Sequence, residues 1–267
     1  MDNIKILFIG DIVGSPGREA VKVILPKLKE EYKLDFIVAN GENAAGGSGL
    51  TPKICMELFD YGIDVLTSGD HIWRKKEIFE IIDKDPRILR PLNFPALSPG
   101  RGSGIYDLKD GKTKIAVINL LGRVFMEPLD CPFQTVEREL EKISQQSKII
   151  IVDIHAEATS EKKALGWFLD GQVSSVLGTH THTQTADERI LPKGTAYITD
   201  VGMCGAFDSV IGRRIEDVLK RFITGIPQRF EVANENINLE AVLIEIDKDT
   251  GKAISIQRIQ RKLLAND

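Results

Sequence analysis

Apolar residues recur along the chain in two periods, and the alternation between them predicts most of its elements. Residues 4–9, Ile-Lys-Ile-Leu-Phe-Ile, form a short run that stops at Gly10-Asp11 and reads as a buried strand. Pro16 opens a helix whose Ala20, Val21, Ile24, Leu25 and Leu28 share one face. Residues 35–39 read as a second strand, followed by the loop Asn40-Gly41-Glu42-Asn43-Ala44-Ala45-Gly46-Gly47. Thr51-Pro52 opens a helix to about Tyr61, and Gly62 closes it. A third strand is predicted at 63–67 and a short helix at 76–82. Residues 87–101, with Pro91, Pro95 and Pro99, read as an ordered loop without regular structure. Strands at 114–119, 148–153 and 173–177 then alternate with helices near 135–144 and 160–168. The end of the chain differs: the strand-like runs 239–246 and 253–259 are joined by Asp247-Lys248-Asp249-Thr250-Gly251-Lys252, a hairpin. Alternation of strand and helix followed by antiparallel strands predicts a layered α/β sandwich, one domain across residues 1–267.

Composition narrows the setting. Hydrophobic residues make up 42% of the 267 and charged residues 28%, ordinary for a soluble globular protein. A net charge of −4 disfavours bulk nucleic-acid binding through phosphate attraction. Cys55, Cys131 and Cys204 are widely spaced with no CxxC, as expected of reduced, packed thiols in a cytoplasmic protein. The apolar start is too short for a signal peptide or a membrane span, so no membrane association is expected.

The candidate chemistry sits where the predicted strands end. All four histidines fall on compact motifs: His71 in Gly69-Asp70-His71, His155 in Asp153-Ile154-His155, and His180 and His182 in Gly178-Thr179-His180-Thr181-His182. Ligands and metals gather at strand ends in α/β proteins. Adding Asp11, Glu42 and Asn43 gives carboxylates, an amide oxygen and imidazoles, a mixed donor set suited to Fe, Mn, Zn or Co. Three carboxylates brought together are unfavourable without cations, and seven ligands excluding His71 exceed what one ion needs. Two ions sharing a bridging carboxylate fit the count, the arrangement that clamps both oxygens in phosphoryl displacement.

Each motif also has a plainer reading. Asp11 could begin a turn, and residues 40–49 could be a flexible glycine-rich connection. Gly10, Gly14 and Gly17 lack the GxGxxG spacing of a dinucleotide loop. A lone histidine after Gly69-Asp70 is more often structural, whereas His180 and His182, two apart on an extended segment, point the same way. Ser160-Glu161-Lys162-Lys163 matches the SxxK pattern but reads as a helix N-cap with a solvated basic face. Arg74-Lys75-Lys76 reads as wet surface, with a smaller prospect of holding a phosphate. Residues 87–101 and 203–207 are candidates for shaping a pocket.

Taken together, Asp11 after Gly10, Gly41-Glu42-Asn43, Gly69-Asp70-His71, His155 in Asp-Ile-His-Ala-Glu-Ala-Thr-Ser-Glu-Lys and Gly-Thr-His-Thr-His resemble the calcineurin-like metallophosphoesterases. More narrowly, the chain resembles their small bacterial branch of 2′,3′-cyclic-nucleotide 2′-phosphodiesterases, with matching strings nearly end to end. The resemblance implies a four-layer αββα sandwich with a dinuclear metal site at the sheet edges. It implies Asp11, Asn43 and His182 on one ion, Asp70, His155 and His180 on the other, and Glu42 between them. It further implies hydrolysis of 2′,3′-cyclic nucleotides and related small phosphodiesters by a metal-activated hydroxide, with His71 as proton donor. The branch usually carries Asn where this chain has Asp70. The extra carboxylate removes one unit of positive charge from the centre, which favours an Fe³⁺/Fe²⁺ or mixed Fe/Mn pair, with Mn or Zn as the alternatives. Two other functions stay open: a nucleotide- or partner-binding regulatory protein with slow or incidental hydrolysis, and a phosphomonoesterase. A homo-oligomer is also open.

Overall fold

Strand β1 (Asn3–Ile9) sorts its side chains by parity. Ile4, Ile6 and Phe8 enter one core with Val117, Ile149 and Ile151, while Leu7 and Ile9 enter another with Val21, Leu25 and Leu28. Successive side chains of a strand point to opposite faces, so a sheet apolar on both faces is covered on both. The computed structural model describes residues 3–264. The covering helix on this side is α1 (Gly14–Tyr32), joined by α2 (Pro52–Asp60). Pro16 falls inside the first turn of α1 instead of opening it.

The remaining strands are β2 (Asp11–Ile12), β3 (Phe36–Asn40), β4 (Val65–Thr67), β5 (Ser103–Asp107), β6 (Lys114–Leu121), β7 (Ile149–His155), β8 (Ser175–Thr179), β9 (Arg189–Ile190), β10 (Ala196–Ile198), β11 (Met203–Ala206), β12 (Ile237–Asp247) and β13 (Ala253–Lys262). The first sheet runs β2-β11-β12-β1-β3-β4 with β13 beside β12, and the second runs β5-β6-β7-β8-β10-β9. Parity repeats in the second sheet: Ile149 and Ile151 of β7 face the first sheet, whereas Ile150, Val152 and Ile154 pack against Leu140 of α3 (Pro132–Ile143) and Leu165 of α4 (Thr159–Leu169). Helices, sheet, sheet and helices therefore stack as the expected αββα sandwich. No helix among the described residues is long and apolar enough to cross a membrane.

Several local expectations need correction. The expected 76–82 helix is a 3₁₀ turn, Lys76–Glu80, and another such turn, Ile72–Arg74, precedes it. Residues 87–101 are tied into the sheets by the bridges Leu66↔Ile88 and Leu89↔Arg101. Strands β2, β5, β9, β10 and β11, and a helix α5 (Ile215–Thr224), were not expected. The terminal hairpin forms as predicted, yet β12 also pairs antiparallel with β1 from Ile9↔Ala241 to Asn3↔Asp247, inside the sheet. The N-cap of α4 is Ala158, without a side-chain cap, and not Ser160. Lys162, expected in solvent, is fully buried and bonds Asp200 at 2.8 Å.

Candidate metal centre

The parity that built the cores also places the chemistry. His155 shares the inward face of β7 with Ile149 and Ile151, and Asn40, Thr67 and Thr179 occupy the inward ends of β3, β4 and β8. Asp153, inward on β7, ties them together. It accepts from Thr67 Oγ1 at 2.5 Å, Thr179 Oγ1 at 2.8 Å and Asn40 Nδ2 at 3.3 Å. Burial pushes its carboxyl up to about 7. This network underlies the site, and strand parity was the signal that could have found it.

Above it lies the cluster. Ligand atoms of Glu42, Asp70, His155 and His180 all fall within 4.8 Å of one another. His155 Nε2 is 3.2 Å from Glu42 Oε1 and 3.4 Å from Asp70 Oδ1, and His180 Nδ1 is 3.0 Å from His155 Nε2. Beside this group, Asp11 Oδ1 lies 3.7 Å from His182 Nε2, and Asn43 Nδ2 lies 3.2 Å from His182 Nε2 and 3.1 Å from Glu42 Oε1. All eight residues singled out by sequence are thus brought to one place. Gly69 is required by the packing: a Cβ there would land on the His155 ring and the Glu42 carboxylate.

Hydrogen bonds set the imidazole tautomers. The Thr179 hydroxyl spends its proton on Asp153, so at 2.9 Å it accepts from His155 Nδ1 and leaves Nε2 toward the cluster. His182 Nδ1 donates to the Ile211 carbonyl at 3.0 Å, freeing Nε2. His180 turns Nε2 to Glu157 at 3.3 Å and Nδ1 inward. A metal-ligating histidine commonly gives its other N–H to such a partner.

Electrostatics point the same way. Burial, together with the Glu42 and Asp200 charges, pushes the Asp11 carboxyl up to about 7 against the pull of His155. Burial would lower the His155 pKa, but the Glu42 and Asp70 carboxylates drive it well above the ordinary value. Burial would raise Asp70, yet the close approach of His155 holds it well below the usual range. Burial and the neighbouring His155 lower His180 to about 4. The Glu42 and Asp70 carboxylates thus favour positive charge at the centre of the cluster. Two oxygens are still orphaned: Asp11 Oδ1 and Asp70 Oδ1 are buried with no hydrogen-bond partner. Buried carboxylate oxygens without donors are costly, and a cation is the partner such oxygens fit. The donor set suits a metal with one adjustment. Asn43 turns its amide nitrogen to Glu42 and His182 and its oxygen to His71 Nδ1 at 2.8 Å, so ligation requires the amide to turn over.

A cavity of about 680 Å³ opens on the cluster, touching Glu42, Asn43, His71, His180 and His182. Arg74 lines it and Lys75 does not, which refines the basic-surface reading. Neither 87–101 nor 203–207 lines it. Arg90 instead donates to the carbonyls of Pro91, Ser98 and Pro99, holding its own loop, and β11 is buried between β2 and β12. Sequence reasoning also missed Lys162 and Asp200. Asp200 accepts from Lys162 Nζ at 2.8 Å, from Thr181 N at 3.0 Å and Oγ1 at 2.8 Å, and from Gly202 N at 2.9 Å. Thr181 lies between His180 and His182, whose φ angles are 102° and 60°.

Two stacked sheets with a carboxylate–imidazole cluster at their strand ends define a calcineurin-like metallophosphoesterase. A 5′-nucleotidase from Candida albicans shares the fold, at a TM-score of 0.58 and 10% identity over 98% of this chain and 52% of that one. Within that class the chain belongs to the YmdB-like protein family, whose model matches residues 7–259. It is 54% identical, over 96% of both chains, to the 2′,3′-cyclic-nucleotide 2′-phosphodiesterase of Bacillus subtilis (strain 168). It also matches the crystal structure of a novel phosphatase from Mycoplasma pneumoniae at a TM-score of 0.92 and 38% identity, over 98% of this chain and 94% of that one.

Proposed function

We propose that this metallophosphoesterase hydrolyses 2′,3′-cyclic nucleotides and related small phosphodiesters, as a single catalytic domain in the cytoplasm. Asp11, Asn43 and His182 would hold one cation, Asp70, His155 and His180 a second, and Glu42 would lie between them. The observation that carries the reading is the pair of orphaned buried oxygens, Asp11 Oδ1 and Asp70 Oδ1, one in each ligand group. The activity named for the Bacillus relative supports the substrate class. Two bound cations would polarise the phosphoryl oxygens and lower the pKa of water to near neutrality. The Asp70 carboxylate favours iron, as Fe³⁺ paired with Fe²⁺ or Mn²⁺, because it removes one positive charge from the centre.

The protein's own groups then have definite tasks. Thr179, Glu157 and the Ile211 carbonyl hold the three imidazoles in their tautomers. Cleavage of the bond from phosphorus to the ribose 2′-oxygen leaves an alkoxide that needs a proton. His71 lines the cavity, with side-chain exposure of 28%, and is the group placed to give it. Turning the Asn43 amide would present an N–H to His71 Nδ1 and put the ring proton on Nε2, the nitrogen facing away from Asn43.

The test is metal content of anaerobically purified protein, measured together with turnover of cyclic and linear diesters with and without added Mn²⁺. About two ions per chain and cleavage of 2′,3′-cyclic AMP are expected. Metal-free protein that binds nucleotides without turning them over would favour the regulatory reading instead.

A further inference from the structure

The cavity beside the cluster has two unlike walls. One carries Glu42, His71, His180 and His182, and the other carries Ile211, Val218, Phe222 and Phe230. The second wall is built by α5 and the segments on either side of it. Val218 is buried and fixes the helix, and one turn further along the same side Phe222 stands 81% exposed at the cavity. The guanidinium of Arg221 lies over the half-buried Phe230 ring, its carbon 5.8 Å from the ring centroid. Arg221 makes no ion pair among the described residues.

A single exposed apolar side chain needs no explanation. Here, however, two phenyl rings and a guanidinium plane share one cavity with the groups that would handle the phosphate. Aromatic faces and guanidinium planes are the surfaces on which nucleobases stack, with little dependence on base identity. The volume of about 680 Å³ is in the usual range for a small-molecule site. A base-free diester seated at the cluster would leave this wall wet.

We propose that Phe222, Phe230 and Arg221 form a nucleobase subsite, which makes a nucleoside phosphodiester the substrate and a base-free diester a poor one. The proposal rests on the phosphodiesterase reading for its chemistry but not for its binding.

The experiment compares 2′,3′-cyclic AMP with glycerol 1,2-cyclic phosphate, a cyclic diester without a base, on wild type, Phe222→Ala and Phe222→Trp. Calorimetric titrations with 3′-AMP and with inorganic phosphate accompany it. Phe222→Ala should lower kcat/KM for the nucleotide about tenfold, through KM, as the loss of one stacking contact predicts. Turnover of the glycerol diester should not change, and Phe222→Trp should restore the nucleotide value. Affinity for 3′-AMP should fall by the same factor while that for phosphate holds. Equal losses on both diesters, or unchanged 3′-AMP affinity in Phe222→Ala, would overturn the subsite. If wild type cleaves neither diester, the phosphodiesterase reading falls, and the 3′-AMP titration still decides the subsite.

Discussion

Breaking the Lys162–Asp200 pair should damage the protein in two separable ways. Both side chains are fully buried, and their contact is 2.8 Å. Lys162→Met fills similar space but leaves the Asp200 carboxylate inside with only the Thr181 and Gly202 donors. Removing one member of a buried pair costs about 3–5 kcal/mol, because the other charge is stranded. Adding Asp200→Asn should recover most of that loss, since no charge remains and the amide oxygen still accepts from Thr181, with only Gly202 N losing its acceptor. Asp200→Ala in the same background is different. It releases the Thr181 backbone, which Asp200 holds between two non-glycine residues at positive φ. Such conformations cost about 1–3 kcal/mol each and persist only when their surroundings impose them. His180 would keep its bond to Asp11, and His182 its bond to Ile211, but the segment between them would lose its anchor. Urea unfolding of chelated protein measures the stability, and metal retained per chain after dialysis measures the centre. The expected pattern is low stability for Lys162→Met, near-normal stability and metal for the Met/Asn double variant, and poor metal retention for the Met/Ala double variant. A loss below about 1 kcal/mol in Lys162→Met, or full metal retention in the Met/Ala variant, would refute the reasoning.

Three further outcomes follow from the site and its surroundings. His71→Ala should retain metal and lose about 10²–10⁴-fold in turnover of a cyclic nucleotide, with a much smaller loss on a nitrophenyl diester, whose leaving group needs little protonation. Equal losses would make His71 a ligand or a positioning group. Asp70→Asn should bind both kinds of pair less tightly than wild type and lose more affinity for an Fe³⁺-containing pair than for a purely divalent one, and equal affinity of both forms for a purely divalent pair would sink the charge argument. Burial raises Glu240 from 4.5 to about 7, so its native form holds a proton that the unfolded chain releases. Stability from this group is complete below pH 4.5 and is lost as the pH rises through about 7, a change of about 3 kcal/mol. Glu240→Gln, which still offers an oxygen to Met203 N, should flatten that part of the curve in pH-resolved urea unfolding. A profile that matches wild type would show that Glu240 does not titrate there.

How much could be read beforehand depended on the range over which each feature is decided. Strands β1, β3, β7 and β8 carry apolar runs whose parity is local, so the run and its final polar residue could be read together. Hence these strands were legible to within one residue of Asn40 and two of His155, and the cluster with them. Parity could also have yielded Asp153 and Thr179, two residues that look ordinary until the inward face is known. Strand β12 is a different case. Its hairpin with β13 is local, but its antiparallel pairing with β1 joins residues at opposite ends of the chain, which no local pattern encodes. Lys162 shows the same limit at smaller scale. Ser-Glu-Lys-Lys looks solvated because charged residues are almost never fully buried unless paired. The partner lies 38 residues away, just after β10 in the chain. The α5 helix fails for the opposite reason. Ile215, Leu219, Phe222 and Ile223 are all exposed, so its apolar residues advertise a core it does not enter. Only the cavity beside the cluster gives Phe222 a neighbour whose chemistry explains it. Local pattern therefore located the carboxylate–imidazole half of the site, and the half that would recognise the rest of the substrate emerged only from three dimensions.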